Sequence, residues 1–453
     1  MPFGVIPNHA IQERDGYLDR TPWFQFILIS ICFPMWGAAA SLNDILITQF
    51  KSIFTLSDFA SAFVQSAFYG GYFIIAIPAS RIIKRYSYKL SILIGLSLYI
   101  VGCTLFFPAS HMATYSVFLV ALFAIAVGLS FLETSCNTYS TMLGPKKTST
   151  LRLNISQTFY PLGSILGILL GKYLVFTDGD ALHLQMESMS HDEKASFAQE
   201  MLQRTLQPYQ FIIMILVVLL IIVALTQMPT CKPLADENHV AKASIGETLS
   251  YLASNAKFLR GIAVQFLYVG MQTAVWSFTI RLALNLDESL NERSASTFMI
   301  WAFVAFFLGK FSANILMTKL NENVVLILYS VLGSLALVYV MLVPNLTAVY
   351  AAVLVSGLFG PCWATIYSRS LDAIEDKRHT ETGGAVIVMS IIGGAVVPLI
   401  QGFVSDTIGS LQFSFVVNLV CFVAVLLYFL TLWREEKTSA PIVSDHKGET
   451  AHV

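Results

Sequence analysis

The chain has 453 residues, 56% of them hydrophobic and 12% charged, with a mean hydropathy of +0.68. Soluble domains carry about a quarter charged residues, so the composition excludes a soluble globular protein and points to an all-α integral membrane protein. A formal net charge of −1 supplies no basic field for nucleic acid, and the arginines and lysines inform by position instead.

The first twenty residues, MPFGVIPNHAIQERDGYLDR, are polar and mixed in charge, unlike the basic start of a cleaved signal. Insertion therefore falls to the first spanning helix. Apolar runs long enough to cross a roughly 30 Å hydrocarbon core fall near 24–48, 59–80, 90–107, 115–143, 153–176 and 209–228. Six more follow near 259–284, 295–317, 324–342, 347–370, 381–403 and 411–433. The expected organisation is a six-helix half over 1–228, a polar linker over 229–257 with prolines at 229 and 233, a second six-helix half over 258–437, and a tail over 438–453. In the long loop 177–208, Ser190 precedes acidic residues and Arg204 closes the run, which predicts a short capped surface helix.

With both termini cytoplasmic, inside loops and tails hold 20 lysines and arginines against 5 outside, leaving Arg281 and Lys310 within spans. The positive-inside bias sets that orientation. Six cysteines lie singly, without CxxC pairs or metal spacing, so neither a metal nor a cofactor is expected. All eight histidines are expected in tails or loops, which removes the usual side chain titrating near neutrality from the bundle.

Two carboxylates lie within spans: Asp44 in SLNDILITQF and Glu133 in GLSFLETSCNTYS. A charge at mid-bilayer costs roughly 2.5–3.5 kcal/mol or more, and desolvation disfavours the ionised form. Both are candidates for carrying a proton. Around them are uncharged hydrogen-bonders suited to a hydroxyl-rich ligand: Asn43, Asn137, Asn154, Gln157, Gln265 and Gln272. Glu133 and Asn137 share a helix face at four-residue spacing, as Asn154 and Gln157 do at three. Tyr160, Trp276 and Trp363 add aromatic faces for the C–H face of a sugar ring. Amides also glue helices together and aromatics form interfacial belts, so the joint cluster carries the reading. Glycines recur along the fifth and eleventh spans, where small residues permit close approach. No nucleophile elbow, zincin motif or phosphate loop is present, and no enzyme is expected.

The segments Val127-Gly128-Leu129 and Ser356-Gly357-Leu358 open similar stretches in the fourth and tenth spans, an echo that fits duplicated halves. SLNDILITQF, QSAFYGGYFIIAIPA, FLETSCNTYSTMLGP, RLNISQTF, QFLYVGMQTAVWSFTIR and VMSIIGGAVVPLIQGFVSD closely resemble the bacterial L-fucose:proton symporter family of the major facilitator superfamily. The resemblance implies a twelve-helix major facilitator fold of two six-helix halves, with Asp44 and Glu133 as the proton-coupling carboxylates and Asn137 and Gln157 as polar cavity residues. Arg81, Lys84 and Arg85 fall where such proteins carry their basic gate motif, without its usual Asp-Arg-x-Gly core. This chain departs from the family at Ala40-Ser41, where two asparagines are usual, and at Tyr160, where an asparagine is usual.

The expectation is a monomeric, multi-pass symporter in the cytoplasmic membrane. It would take up a monosaccharide, L-fucose first, with a proton by alternating access. The substrate-binding set is Asn43, Asn137, Gln157, Tyr160, Gln265, Gln272, Trp276 and Trp363; the coupling pair is Asp44 and Glu133. Rival readings are a sodium-coupled or uncoupled glucose or galactose transporter and a non-transporting membrane sugar sensor.

Overall fold

The computed structural model describes residues 10–42, 58–112, 115–175, 189–232, 243–287, 289–290 and 292–439. Asn43 and Asp44 lie outside them. Among the described residues, twelve long helices follow in order: α1 Trp23–Leu42, α2 Asp58–Arg85, α3 Tyr88–Met112, α4 Tyr115–Met142, α5 Lys146–Leu170 and α6 His191–Leu225. After the linker come α7 Ala256–Leu286, α8 Glu292–Met317, α9 Glu322–Leu342, α10 Thr347–Asp372, α11 Lys377–Ile408 and α12 Phe413–Thr438. Ten stretches are long and apolar enough to span a membrane by length and composition. The other two helices, α2 and α7, have 28 and 31 residues, beyond the roughly 20 a crossing needs. The outward face of the bundle is apolar, with Leu342 of α9 and Leu399 and Phe403 of α11 strongly exposed, a surface suited to hydrocarbon.

Four of these helices are interrupted. Proline lacks the N–H that would continue the ladder and its ring clashes with the carbonyl four residues back; Pro34 accordingly follows a turn at Ile31 and Cys32 in α1, and Pro161 follows one at Thr158 and Phe159 in α5. In α10 the turn falls at Phe359 to Pro361, and in α11 a 3₁₀ segment, Ser390–Ile392, precedes Gly393 and Gly394. The breaks permit unusually close crossings. A Cβ on Gly163 would fall 1.9 Å from the Pro34 carbonyl oxygen, and one on Gly393 would fall 2.1 Å from that of Phe266.

The buried apolar residues form two cores, one centred on α1–α6 and one on α7–α12. Tyr160, Trp363 and Ile391 pack against both. Each of the three sits at or beside one of the helix breaks, so the interruptions place large side chains between the halves.

The expected surface helix after Ser190 is not a separate element. Ser190 does form a capping box with Glu193, but the helix it starts runs on without interruption into the sixth span as the 35-residue α6, because Pro208 falls inside it without ending it. The segment expected as a polar linker contains a helix, Ile245–Ser254, capped by Ser244 and Glu247. Its Thr248 hydroxyl lies 2.8 Å from His379 Nδ1, and Tyr251 stacks on the same imidazole at 4.4 Å. His379 is 2% exposed, so the expectation of histidines confined to open loops fails here. His111 and His191 likewise belong to helix ends. Arg152, counted above among the loop cations, is also buried: it donates to the carbonyls of Ser140 and Pro145 and to Thr148 Oγ1 at 2.7–3.3 Å, fixing the turn between α4 and α5.

Candidate functional site

The described residues expected in the cavity lie on α4, on α7 and at the breaks of α5 and α10. Glu133 is 6% exposed, with Tyr72 of α2 as a close neighbour of its carboxyl. Ser130 Oγ donates to the Tyr72 carbonyl at 3.0 Å, which holds α2 and α4 in that register. One turn on, Asn137 Oδ1 accepts from Gln157 Nε2 at 2.9 Å, while Asn137 Nδ2 is buried without a partner among the described residues. A buried polar atom left unpaired costs about 1–3 kcal/mol. Such atoms mark places where a ligand or water completes the bonding.

In the second half, Gln265 is fully buried and both ends of its amide lack a partner among the described residues, whereas Gln272 is half-buried. Trp276 donates from Nε1 to Ser356 Oγ at 3.2 Å. Its ring lies against Phe303 at 4.7 Å, Phe306 at 5.2 Å and Phe359 at 5.8 Å. Tyr160 of α5 meets the Phe306 ring edge-on at 6.3 Å, joining the two halves. Trp363 is partly exposed and stacks on Tyr367 at 5.1 Å, nearly parallel. The arrangement is asymmetric: among these residues the carboxyl belongs to the first half and both tryptophans to the second, while each half contributes amides.

Below this level, toward the end that carries the linker, the halves are sealed by hydroxyl and amide contacts. Thr138 Oγ1 lies 2.7 Å from the Tyr367 hydroxyl and Thr150 Oγ1 lies 2.9 Å from Ser368 Oγ. Asn154 Nδ2 donates to Thr365 Oγ1 at 3.0 Å, and Asn314 Nδ2 to Thr158 Oγ1 at 2.7 Å. Asn154, grouped by spacing with Gln157, thus belongs to this seal. Gly384 of α11 abuts it, since a Cβ there would lie 2.4 Å from Thr138 Oγ1.

The basic trio does not bridge the halves. Arg81 and Arg85 are exposed, Arg85 lying over the Tyr86 ring at 5.3 Å, and Lys84 donates to the Ala243 carbonyl at 2.7 Å, just before the linker helix. Ionic contacts at this end lie elsewhere. Arg369 bridges Glu322 and Glu436 at 2.7 and 2.8 Å, and the Arg378 guanidinium holds the Asp376 carboxyl below the usual carboxylate range.

Two features of the site escaped sequence reasoning. The sealing hydroxyls are ordinary residues whose partners lie 156–229 positions away. Lys310 was visible as an intramembrane charge, and the weight given to Glu133 on that ground applies equally to it.

The sequence profile described as the Major Facilitator Superfamily matches residues 26–323 and 273–451. The chain is 33% identical to the L-fucose-proton symporter of Escherichia coli (strain K12) over 93% of its own length and 96% of that protein's. It is 30% identical to the glucose/galactose transporter of Brucella abortus biovar 1 over 94% of its own length and 98% of that protein's. Among solved structures, FucP in the outward conformation superposes with a TM-score of 0.81 at 33% identity, covering 90% of this chain and 98% of that one.

Proposed function

The chain belongs to the Major Facilitator Superfamily and, within it, to the family of the L-fucose-proton symporters, and from that membership we propose that it imports a monosaccharide together with a proton by alternating access. L-Fucose is the first candidate cargo, with glucose and galactose next. The linker end faces the cytoplasm, and both termini lie on that side. The halves are residues 1–228 and 258–437. Sugar hydroxyls are bound by Asn137, Gln157, Gln265 and Gln272 and by Asn43, which lies outside the described residues; Tyr160, Trp276 and Trp363 supply the ring faces. Lys84, with Arg81 and Arg85, belongs to the gate through its hold on the linker.

The observation that carries the reading is Glu133. It is a buried carboxyl within a span, without a lysine or arginine partner among the described residues, one turn from Asn137, whose Nδ2 has no partner among them. An ion-pair role would need such a partner, and facilitated diffusion would need no carboxyl. Asp44, outside the described residues, completes the coupling pair. One proton crossing 100 mV supplies about 2.3 kcal/mol, enough for roughly fiftyfold accumulation.

The test is uptake of labelled L-fucose into proteoliposomes under an imposed pH gradient or an imposed sodium gradient. Accumulation is expected to follow the proton gradient, to vanish with a protonophore and to ignore sodium. Accumulation that follows sodium and survives the protonophore overturns the coupling, and binding without uptake makes the protein a sensor. Competition by unlabelled monosaccharides ranks the cargo.

Gln157→Ala probes the sugar site in the same vesicles. It removes a donor to the cargo and strands Asn137 Oδ1, so affinity is expected to fall by about 1–3 kcal/mol in a protein that remains folded. Unchanged affinity in this variant and in single alanine variants of Trp276 and Trp363 would put the cavity elsewhere.

A further inference from the structure

The second half contains a charged side chain to which the transport reading assigns no role. Lys310, about two turns before the end of α8, is 2% exposed. Among the described residues no carboxylate or hydrogen-bond acceptor partners its ammonium, which lies over the face of the Phe306 ring at 4.6 Å. A ring face attracts an ammonium by roughly 2 kcal/mol when both are desolvated. That is well short of the several kcal/mol needed to bury a charge. Its three donors also remain unfilled.

The location is specific. A helical side chain leans toward the N-terminus of its helix, so Lys310 reaches back to Phe306 and away from Asn314, which lies one turn beyond it on the same face. Phe306 is the ring that meets Trp276 on one side and Tyr160 of the first half on the other. The α10 break crosses α8 at the same level, since a Cβ on Gly360 would sit 3.1 Å from the Lys310 backbone nitrogen. Asn314 adds an unpaired acceptor: its Nδ2 is used by Thr158, and its Oδ1 has no partner among the described residues. Open donors therefore lie against the Phe306 face, and the open acceptor of Asn314 lies one turn further along α8, at the seal between the halves.

We infer that Lys310 is a cargo-binding, specificity-determining residue: its ammonium donates to a hydroxyl oxygen of the sugar, whose ring packs on the Trp276 and Phe306 faces. This inference rests on the monosaccharide reading above and extends it to the second half. The cargo then meets carboxyl and amide groups from α4 and α5 on one side, and an ammonium with aromatic faces from α7 and α8 on the other. Engagement of both sides is what allows a bound sugar to favour closure of the halves over it.

The experiment measures equilibrium binding of L-fucose and of its 2-, 3- and 4-deoxy analogues to the parent, to Lys310→Met and to Lys310→Arg. Lys310→Met keeps the length and removes a buried charge, so its fold is expected to hold. Its affinity for L-fucose is expected to fall by about ten- to a hundredfold, the range for a lost hydrogen bond to a charged donor. For one analogue, the one lacking the contacted hydroxyl, parent and Lys310→Met are expected to bind alike. Lys310→Arg, which retains donors and charge, is expected to stay within a few-fold of the parent. Equal binding of L-fucose by parent and Lys310→Met overturns the inference, and so does an equal loss for every analogue, which would make the effect structural. Should Lys310→Met not fold, Lys310→Arg carries the test: a change in its ranking of the analogues supports the contact, and an unchanged ranking overturns it. A parent that binds none of these sugars overturns the monosaccharide reading and this inference with it.

Discussion

Glu133→Gln in reconstituted vesicles is expected to exchange sugar for sugar at close to the parent rate and to lose accumulation against a gradient. Glutamine has the shape of the protonated acid and keeps a polar group beside Tyr72, the neighbour that the carboxyl has on α2, but it has no acidic proton to release. In the parent, an ionised Glu133 carried through a closed bundle would cost roughly 2.5–3.5 kcal/mol or more. Reorientation is therefore open to the loaded, protonated carrier and to forms whose carboxylate is re-solvated. That difference couples the proton to the sugar. Permanent neutrality removes the difference while leaving the cavity intact, so exchange and uphill uptake separate. Asp44→Asn is expected to impair the same step. The measurement pairs the two assays on one preparation. If Glu133→Gln still concentrates sugar on a pH gradient as the parent does, Glu133 is a structural hydrogen-bonder and the proton takes another route.

The twelve crossings were legible because hydropathy over about twenty residues depends only on local composition. Most reappear within about five residues of their expected bounds; the fifth begins seven residues early at Lys146, the sixth begins at His191 rather than near 209, and the expected end of the first lies outside the described residues. Glu133, Asn137 and Gln157 were legible as a group, since helical spacing alone puts Glu133 and Asn137 on one face. The Gln157–Asn137 hydrogen bond then joins that face to α5.

What spacing could not supply was partnership at a distance. Asn154 shares the segment before the break with Gln157, three residues away, yet Asn154 faces Thr365 of the other half whereas Gln157 faces Asn137 of its own; past the turn at Thr158 and Phe159, Tyr160 faces Phe306. The prolines at 34, 161 and 361 were readable as residues. Their consequence, that chain breaks from both halves converge, is a tertiary fact. His379 shows the same limit. Its sequence neighbours are polar, which reads as an open loop, and it is buried because the linker helix, more than a hundred residues earlier, lies over it. Lys310 is a different case, since the physical rule that singled out Glu133 was available for it and was applied to carboxylates alone.

Locking the seal at the linker end is expected to stop transport outright. Thr150 Oγ1 and Ser368 Oγ are 2.9 Å apart, on α5 of one half and α10 of the other. Cysteines placed at both positions bring their sulfurs close to the roughly 2.05 Å of a disulfide. The four contacts that seal this end, from Thr138, Thr150, Asn154 and Thr158, contribute about 0.5–1.5 kcal/mol each. Their sum is a few kcal/mol, the size of gap that lets a carrier populate both of its conformations. A covalent bond in the same place leaves no such equilibrium. The double variant Thr150→Cys with Ser368→Cys, oxidised in membranes, is expected to lose exchange and uphill uptake together, to keep sugar binding from the side opposite the linker, and to recover transport on reduction. The described native cysteines are single and buried, so a cross-link read by electrophoretic mobility after cleavage in the linker reports the new pair. Full transport by a protein whose cross-link is complete would mean that these contacts stay together throughout the cycle, and the moving interface would have to be sought at another pair of helices.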